Sequence, residues 1–495
     1  MAWKGDRRAM LRPTFVLALL MVGLLLGAPL ILAQQMCGCI ACACQQCQGQ
    51  CPRNSAASPP PPQPLCASKL QTSMLCTVPQ VYGNNGLVLP NPNHAAHFVT
   101  SAKNFQIPLS VSVASELSLR TIASPAAGVL FTFDPKLGVF APSSESYGPI
   151  LTERAETIGR HRGFVSVTYQ YLNFSSLDGQ DLKHLPVVYT HAQFQINGVT
   201  PDFEQEFITT ENRIDLKAHQ IVIDGTFGLT SRIDLSVDVP ILDVRLGITS
   251  NALINRVVPQ PLAPSAPYYS TTVDGFFHFF NISNPAGSLS QVFSNSNGSG
   301  LRRSAAGIGD VIFRVKGTVL RHERARVALG LNVRTPTGDE KNFLGAGAIG
   351  IKPFIAASYA GRISPHVDLG YEYNGQSVLA GNLATGSTGK LPNQFFYSGG
   401  VDVAVSKRLT LASDILGSRL SSAERIRRSS YVDANNVTHP QTVPFRDSIN
   451  LVDISVGAKF KLWRNLLATG NVAFKANDAG LRATAEPLGS ISYSF

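Results

Sequence analysis

The stretch LVDISVGAKFKLW, residues 451–463, constrains the possible folds more than any other part of this chain. Apolar residues such as Ile454 and Val456 alternate there with charged residues such as Asp453 and Lys459. Successive side chains of a β-strand point to opposite faces, so this stretch predicts a strand with one apolar and one polar face. A soluble β-sandwich and a membrane barrel both contain such strands, and the rest of the chain decides between them.

The chain contains a small fraction of charged residues. Of its 495 residues 44% are hydrophobic and 15% are charged, whereas about a quarter of a typical soluble domain is charged. After residue 33 no run of about twenty apolar residues occurs, so no transmembrane helix is predicted there. A closed β-barrel is the other structure that satisfies every backbone hydrogen bond inside a bilayer. The net charge of +10 is scattered and accompanies no nucleic-acid-binding motif, so we expect no nucleic-acid partner.

The N-terminus has the pattern of an export signal. Basic residues between Lys4 and Arg12 precede an apolar stretch, 15–32, and Ala33 is a small residue suited to cleavage. We therefore predict that residues 1–33 are a signal peptide. A single transmembrane anchor is the alternative, because the apolar stretch reaches the shortest length, about eighteen residues, that spans a bilayer.

A cysteine-rich region follows. It contains all eight cysteines of the chain: Cys37, Cys39, Cys42, Cys44, Cys47, Cys51, Cys66 and Cys76. An even number in an exported chain favours disulfides, whose pairing the sequence leaves open. The spacing of Cys39 and Cys42 would also suit a thiolate metal site, but no histidine at ligand spacing accompanies it, and we predict neither metal nor cofactor. With the proline-rich spacer 59–64, residues 34–77 are predicted to form a separate periplasmic head.

Alternating segments recur from residue 164 to the C-terminus. Twelve of about ten residues can be proposed, which is the length of a tilted membrane strand. Their connections are alternately short and long, and the predicted long ones are 175–219, 243–309, 336–349, 375–394, 417–450 and 478–487. Outer-membrane barrels have short periplasmic turns and long outer loops. We therefore predict an all-β fold, a transmembrane antiparallel β-barrel of twelve strands over residues 164–495, in the outer membrane of a Gram-negative-type bacterium.

Aromatic residues cluster at the predicted strand ends, as in the girdles of membrane barrels. They are Tyr169, Tyr171, Tyr371, Tyr373, Phe395, Phe396 and Tyr397 at the outer ends, and Trp463, Tyr493 and Phe495 at the inner ends. The final segment, which ends at Phe495, resembles the signal that barrel-assembly machinery recognises. Expected partners are therefore this machinery and the lipid and lipopolysaccharide of the outer membrane.

The inward faces of the predicted strands carry charges of both signs. The candidate lumen residues are Arg314, Lys316, Asp368, Glu372, Asp402, Asp453, Lys459 and Lys461. A strongly selective pore more often has a ring of one sign. Ion-pair networks that hold the barrel are the simpler interpretation, and a permeation path is the alternative.

Three stretches resemble a known family: GIGDVIFRVKG at 307–317, LGLNVRTPTGDEKNFLGAG at 329–347 and FGLTSRIDLSVDVPI at 227–241. They are similar to the outer-membrane family called "MetA-pathway of phenol degradation", and the resemblance extends over about residues 120–495. It implies a barrel related in kind to transporters of fatty acids and aromatic hydrocarbons. The expected function is a channel or transporter for small hydrophobic or aromatic molecules.

Two of these motifs meet at the predicted outer rim, where strands four and five lie side by side. Pro336 and Gly338 supply turn geometry, which explains the second motif without a function. The alternative is a polar gate, whose candidate members are Asp310, Arg334, Asp339 and Glu340.

Residues 78–163 allow three interpretations. They form a plug in the lumen, a periplasmic segment, or two further strands that would make fourteen, since GVLFTFDPKLGVFA at 128–141 has the pattern of a hairpin. Pro108, Pro125 and Pro142 favour the plug because proline cannot donate to a strand ladder.

Two other classes of function remain open. No nucleophile elbow or zinc motif accompanies the ten histidines, so we expect no enzyme, although a surface phospholipase or protease could assemble its residues across strands. The long loops would also suit an adhesive or structural barrel.

Overall fold

The computed structural model describes residues 63–91, 94–120, 131–134, 139–142, 146–191, 205–256, 276–283, 290–293 and 301–495. The predicted signal peptide and the cysteines from Cys37 to Cys51 lie outside these residues. Predictions made for them stay predictions.

The described elements are one α-helix, several 3₁₀ turns and twenty-one strands. They are α1 (Val99–Ser118), β1 (Phe131–Asp134), β2 (Val139–Pro142), β3 (Gly163–Leu177), β4 (Gln180–Asp181), β5 (Leu185–Thr190), β6 (Phe207–Gly228), β7 (Ile233–Asn255), β8 (Ser290–Phe293), β9 (Leu301–Ile308), β10 (Ile312–His322), β11 (Ala325–Arg334), β12 (Gly350–Tyr359), β13 (Ile363–Asn374), β14 (Gln376–Asn382), β15 (Ser387–Lys390), β16 (Gln394–Ser406), β17 (Leu409–Val432), β18 (Thr438–Trp463), β19 (Leu466–Lys475), β20 (Leu481–Ala483) and β21 (Ala485–Ser494).

Twelve antiparallel strands close into a barrel. Strands β9 and β10 both pair with β7, β9 along residues 241–248 and β10 along residues 233–238. Together they therefore count as one strand of the barrel. The order around the barrel is then β3, β6, β7, β9 with β10, β11, β12, β13, β16, β17, β18, β19 and β21. Strand β21 pairs with β3, which removes every free edge. The predicted twelve-stranded fold is confirmed.

The alternation of the sequence matches the two faces of the barrel wall. In the stretch 451–463, Ile454, Val456 and Phe460 are exposed, whereas Ser455 and Lys459 are buried. Most barrel strands carry large apolar side chains on the outer face. So wide an apolar band requires lipid around it, because it would be unfavourable in water. The closed barrel with this outer surface is an outer-membrane protein.

Five short turns between neighbouring barrel strands lie at one end of the barrel. They comprise 229–232, 323–324, 360–362, 407–408 and 464–465. The ends of the barrel domain meet at this end, because Gly163 and Phe495 exchange two backbone hydrogen bonds of 2.8 Å. This is the predicted periplasmic side.

Several predicted outer loops are wrong in extent. Strands β17 and β18 contain 24 and 26 residues and are joined by 433–437, so the predicted loop 417–450 is largely a hairpin. Strands β6 and β7, of 22 and 23 residues, likewise extend into the predicted loops 175–219 and 243–309. Beyond the membrane both faces of a strand meet water or protein, so the apolar alternation that marked the strands ends before the ladder does.

One member of the predicted outer girdle is also wrong. Phe396 faces the lumen, where Lys352 Nζ lies 4.2 Å from its ring centroid. Its neighbour Phe395 is exposed on the outer face. Adjacent residues of one strand cannot both face lipid.

Residues 63–91 and 94–120 fold against the long-loop end of the barrel. Helix α1 and the 3₁₀ turns before it form one apolar core with the inner faces of the extended strands; it includes Leu75, Phe105, Leu216 and Leu420. No helix in the described part of the chain is long and apolar enough to cross a bilayer.

Residues 63–77 of the predicted head pack against the barrel. Cys66 and Cys76 form a disulfide and are buried in that core. The backbone N–H of Ala67 donates to the Leu383 carbonyl (2.8 Å), which lies in an outer loop. The predicted domain boundary at residue 77 stays a prediction.

The predicted hairpin at 128–141 exists as β1 and β2. The two strands pair with each other and form a sheet separate from the barrel. The barrel accordingly has twelve strands rather than fourteen.

Candidate site in the barrel lumen

A segment of irregular chain, 146–158, lies inside the barrel. Four of its backbone N–H groups donate to inward side chains of four different strands, at 2.8–3.2 Å: Tyr147 to Thr410, Glu153 to Asp368, Ala155 to Ser358, and Ile158 to Asp234. An irregular backbone at membrane depth must find such partners, because lipid offers none. We call residues 146–158 the lumen segment.

Two charged side chains of the lumen segment are paired with the wall. Arg154 Nη2 lies 3.1 Å from Asp402 Oδ2, and these two side chains are 4% and 1% exposed. Glu153 forms ion pairs with Arg314 and with Lys316, the latter at 3.2 Å. Removal of one member of such a buried pair leaves an uncompensated charge, so these contacts hold the segment firmly.

The other predicted lumen residues are also engaged. Lys459 Nζ donates to the Tyr147 carbonyl at 3.3 Å, and Asp453 pairs with Arg482 at 3.1 Å. Lys461 is half-buried near the periplasmic turns. The predicted ion pairs of the lumen thus join the wall to the lumen segment as well as strand to strand.

The structure brings together two of the four predicted gate residues. Arg334 Nη1 lies 2.9 Å from Asp310 Oδ2, and Arg334 Nη2 lies 3.0 Å from Glu372 Oε1. Asp310 also accepts the backbone N–H groups of Gly338 (3.0 Å) and Ala346 (2.7 Å). This buried network fixes the loop 335–349 to the barrel wall.

Asp339 and Glu340 lie outside this network, at the start of a 3₁₀ turn. Asp339 is exposed and accepts hydrogen bonds from the Lys341 backbone (3.2 Å) and from Asn342 Nδ2 (2.8 Å). It therefore caps the 3₁₀ turn Glu340–Asn342. These contacts match the turn interpretation of the motif.

A cavity of about 200 Å³ lies between α1 and the lumen segment. Leu119 and Arg120, just after α1, line one side, and Leu151 and Glu153 of the lumen segment line the other. A smaller cavity of about 90 Å³ shares several of its lining residues, including Leu119 and Arg314.

One part of the larger cavity is lined by apolar side chains and another part by charged side chains. Leu119, Leu420 and Leu481 belong to the apolar core around α1, and Phe396 adds an aromatic ring. Charged side chains that contact or neighbour Glu153 form the opposite part: Arg314, Lys352 and Asp368. Small-molecule sites combine apolar surface with convergent polar groups, and this lining, with nine charged side chains, is rich in the latter.

Polar contacts hold the C-terminal end of α1 at this cavity. Glu116 accepts the backbone N–H of Leu481 at 2.5 Å and the Ser112 hydroxyl at 3.2 Å. Arg120 forms an ion pair with Glu486, and Gln394 Nε2 donates to the Leu119 carbonyl at 3.2 Å. Burial, reinforced by the negative charge of Asp178, raises the pKa of Glu116 to about 8.

Sequence reasoning missed α1 and most of these contacts. The helix contains Pro108 and many Ser and Val residues, which have low helix propensity, and burial on nearly all sides compensates for this. The run ERAETIGRHR at 153–162 is polar, but irregular chain has no period by which to recognise a lumen segment.

These features define an outer-membrane barrel of twelve strands whose lumen contains a helix and an irregular segment of the same chain. No protein-family model matches the sequence, and no curated protein matches it. The resemblance to the "MetA-pathway of phenol degradation" family therefore stays a prediction.

Among solved structures, the chain is similar to an outer-membrane channel from Pseudomonas putida F1, with 9% identity over 69% of this chain and 98% of that one and a TM-score of 0.41. It is similar to a FadL homologue from Pseudomonas aeruginosa, with 12% identity over 77% and 97% and a TM-score of 0.29. It is also similar to the toluene transporter TbuX of Ralstonia pickettii, with 10% identity over 68% and 88% and a TM-score of 0.23. These similarities are too remote to bear on function.

Proposed function

We propose that this protein is an outer-membrane channel for small hydrophobic or aromatic molecules, and that α1 and the lumen segment form its plug. The proposal rests on the cavity of about 200 Å³ that lies between these two elements and the barrel wall. It supports a binding step on a path through the barrel rather than a water-filled pore.

The size and lining of the cavity support the substrate class. An apolar cavity of about 150 Å³ in another protein holds benzene. The cavity here is larger, and Leu119, Leu420 and Phe396 offer a surface for one aromatic ring. The charged side near Arg314 and Lys352 would suit a polar substituent such as a hydroxyl or a carboxylate.

Cavity filling tests the proposal. Ala473 lines the cavity and is 5% exposed, so Ala473→Trp should place an indole where the ligand binds. Leu411→Trp is the matched control, because Leu411 is 47% exposed on the outer face. Binding of toluene and of phenol to the purified, refolded barrel would be measured by equilibrium dialysis.

Loss of at least about tenfold in affinity is expected for Ala473→Trp, since an occupied cavity removes more than about 1.4 kcal/mol of binding. The Leu411→Trp barrel should bind as the wild type does. Equal binding by all three heat-modifiable barrels would overturn the proposal. The expectation that the protein is not an enzyme has its own test, hydrolysis of phospholipid or peptide by the same preparation.

A further inference from the structure

Four histidines meet at the tip of the long-loop end, far from the lumen site. They are His94, His97, His191 and His278, which we call the four-histidine cluster. His94 and His97 lie just before α1, His191 follows β5, and His278 lies in the loop after β7. Separate stretches of chain therefore converge on one point above the membrane.

The geometry is that of a ligand cage. One ring nitrogen from each histidine lies within 4.8 Å of those of the others. The Nδ1 atoms of His94 and His97 are 3.2 Å apart. Ligand nitrogens about 2.05 Å from a tetrahedral metal ion are separated by about 3.3 Å, so this pair already has the required spacing. The largest separation of 4.8 Å exceeds this value by about 1.5 Å, so small side-chain rotations would bring the ring nitrogens of His191 and His278 into place.

An outer carboxylate orients one of the rings. His278 Nδ1 lies 2.6 Å from Glu206 Oε2, and both side chains are at most 1% exposed. The hydrogen of His278 is thus on Nδ1, and its Nε2 is buried with no hydrogen-bond partner in the described part of the chain. Metal-binding histidines almost always donate their second N–H to such a carboxylate or carbonyl group.

Aromatic rings pack against the cluster. The rings of Phe98 and Phe277 lie 5.0 Å from His278 and 4.9 Å from His94, respectively, and His191 and His278 are buried. An apolar shell of this kind limits the access of water to a metal site.

We propose that the four-histidine cluster binds one divalent transition-metal ion of the zinc class. Imidazole suits Zn²⁺, Cu²⁺ and Ni²⁺, whereas Ca²⁺ and Mg²⁺ require oxygen ligands, which the cluster lacks. Four protein ligands leave no open position, so the ion is structural. It joins the start of α1 to β5 and to the loop after β7. This inference does not depend on the proposed channel function.

Metal binding by a tag-free, chelator-treated barrel tests the inference. Zn²⁺ bound per chain would be measured by mass spectrometry after dialysis, and Co²⁺ would replace Zn²⁺ as a spectroscopic probe. The variants are His278→Ala, which removes a ligand, and Glu206→Gln, which keeps all four. His184→Ala is the matched control, because His184 is 69% exposed and lies outside the cluster.

The wild type should bind one Zn²⁺ more than the His278→Ala barrel, and its Co²⁺ form should show the intense visible bands of a four-coordinate ion. Glu206→Gln should weaken Zn²⁺ binding by about 10- to 100-fold. His184→Ala should change nothing, and thiolates of the N-terminal cysteines contribute equally to all four proteins.

Two results would overturn the inference: equal Zn²⁺ content in the wild type and the His278→Ala barrel, or unchanged affinity in Glu206→Gln. If His278→Ala failed to show the heat-modifiable mobility of a folded barrel, Glu206→Gln would decide alone, since its carboxamide preserves the shape of the site.

Discussion

Helix α1 should loosen as pH rises, because Glu116 is buried with its proton. In an opened helix Glu116 would return to its ordinary pKa of 4.5, whereas in the seated helix its pKa is about 8. The seated state therefore binds more protons between these values, so the free energy that holds α1 falls as pH rises through this window. Below about pH 4.5 the two states bind the proton equally and the contribution is fully present.

The magnitude follows from the two pKa values. Between about pH 5 and about pH 7 the free energy of opening should fall by about 2.5 kcal/mol, since each unit of pKa difference is worth about 1.4 kcal/mol. Above about pH 8 no further change is expected, because both states are then ionised. Nearby charges do not reverse this sign: Asp178 opposes ionisation of Glu116, and its own partner Arg425 lies 2.8 Å away.

Hydrogen exchange of α1 amides in lipid nanodiscs measures this free energy, after correction for the intrinsic pH dependence of exchange. The Glu116→Gln variant keeps the side-chain shape but does not titrate, so its α1 should open equally at both pH values. Glu340→Gln, at the half-buried outer rim, is the control and should keep the wild-type slope. Equal slopes in the wild type and Glu116→Gln would refute the reasoning.

Three further predictions concern the barrel. Arg154→Met removes the 3.1 Å partner of Asp402, which keeps His366 Nδ1 at 3.4 Å, so it should lower the stability of the plugged state by about 2 kcal/mol and raise single-channel conductance in planar bilayers. Arg334→Met should cost a similar amount, about 3 kcal/mol by urea unfolding, but leave conductance per folded barrel unchanged, because its network with Asp310 holds a loop. Ile454→Arg should cost about 2–4 kcal/mol in lipid vesicles, whereas Val432→Arg, on the hairpin beyond the membrane, should cost less than about 1 kcal/mol.

The barrel could be predicted from sequence because lipid imposes a strict local rule on it. Lipid-facing positions are apolar, so the alternation remains visible even along β12, where Pro353 cannot donate to the ladder. The rule ends where the membrane ends. Strands β17 and β18 continue as a paired ladder through Arg427 and Val443, where water or protein covers both faces and no periodicity is required.

The interior of the barrel followed no such rule. Asp402 was recognised as a lumen residue, but its partner Arg154 is 248 residues away and lies in irregular chain. The four-histidine cluster was missed for a similar reason, because only His94 and His97 are close in sequence, whereas His191 and His278 lie far from them and from each other. Contacts of this kind are set by tertiary packing, and one sequence carries no periodic signal for them.

Helix α1 connects the proposed metal site to the lumen cavity. Its 20 residues span about 30 Å, with the four-histidine cluster at the N-terminal end and the lumen cavity at the C-terminal end. Loss of a metal ion from the cluster would free only the first end, because Glu116 and Arg120 still hold the second. Ionisation of Glu116 would loosen only the second. A path past α1 would therefore need the C-terminal contacts to break, and a bound metal ion would limit how far the helix then moves.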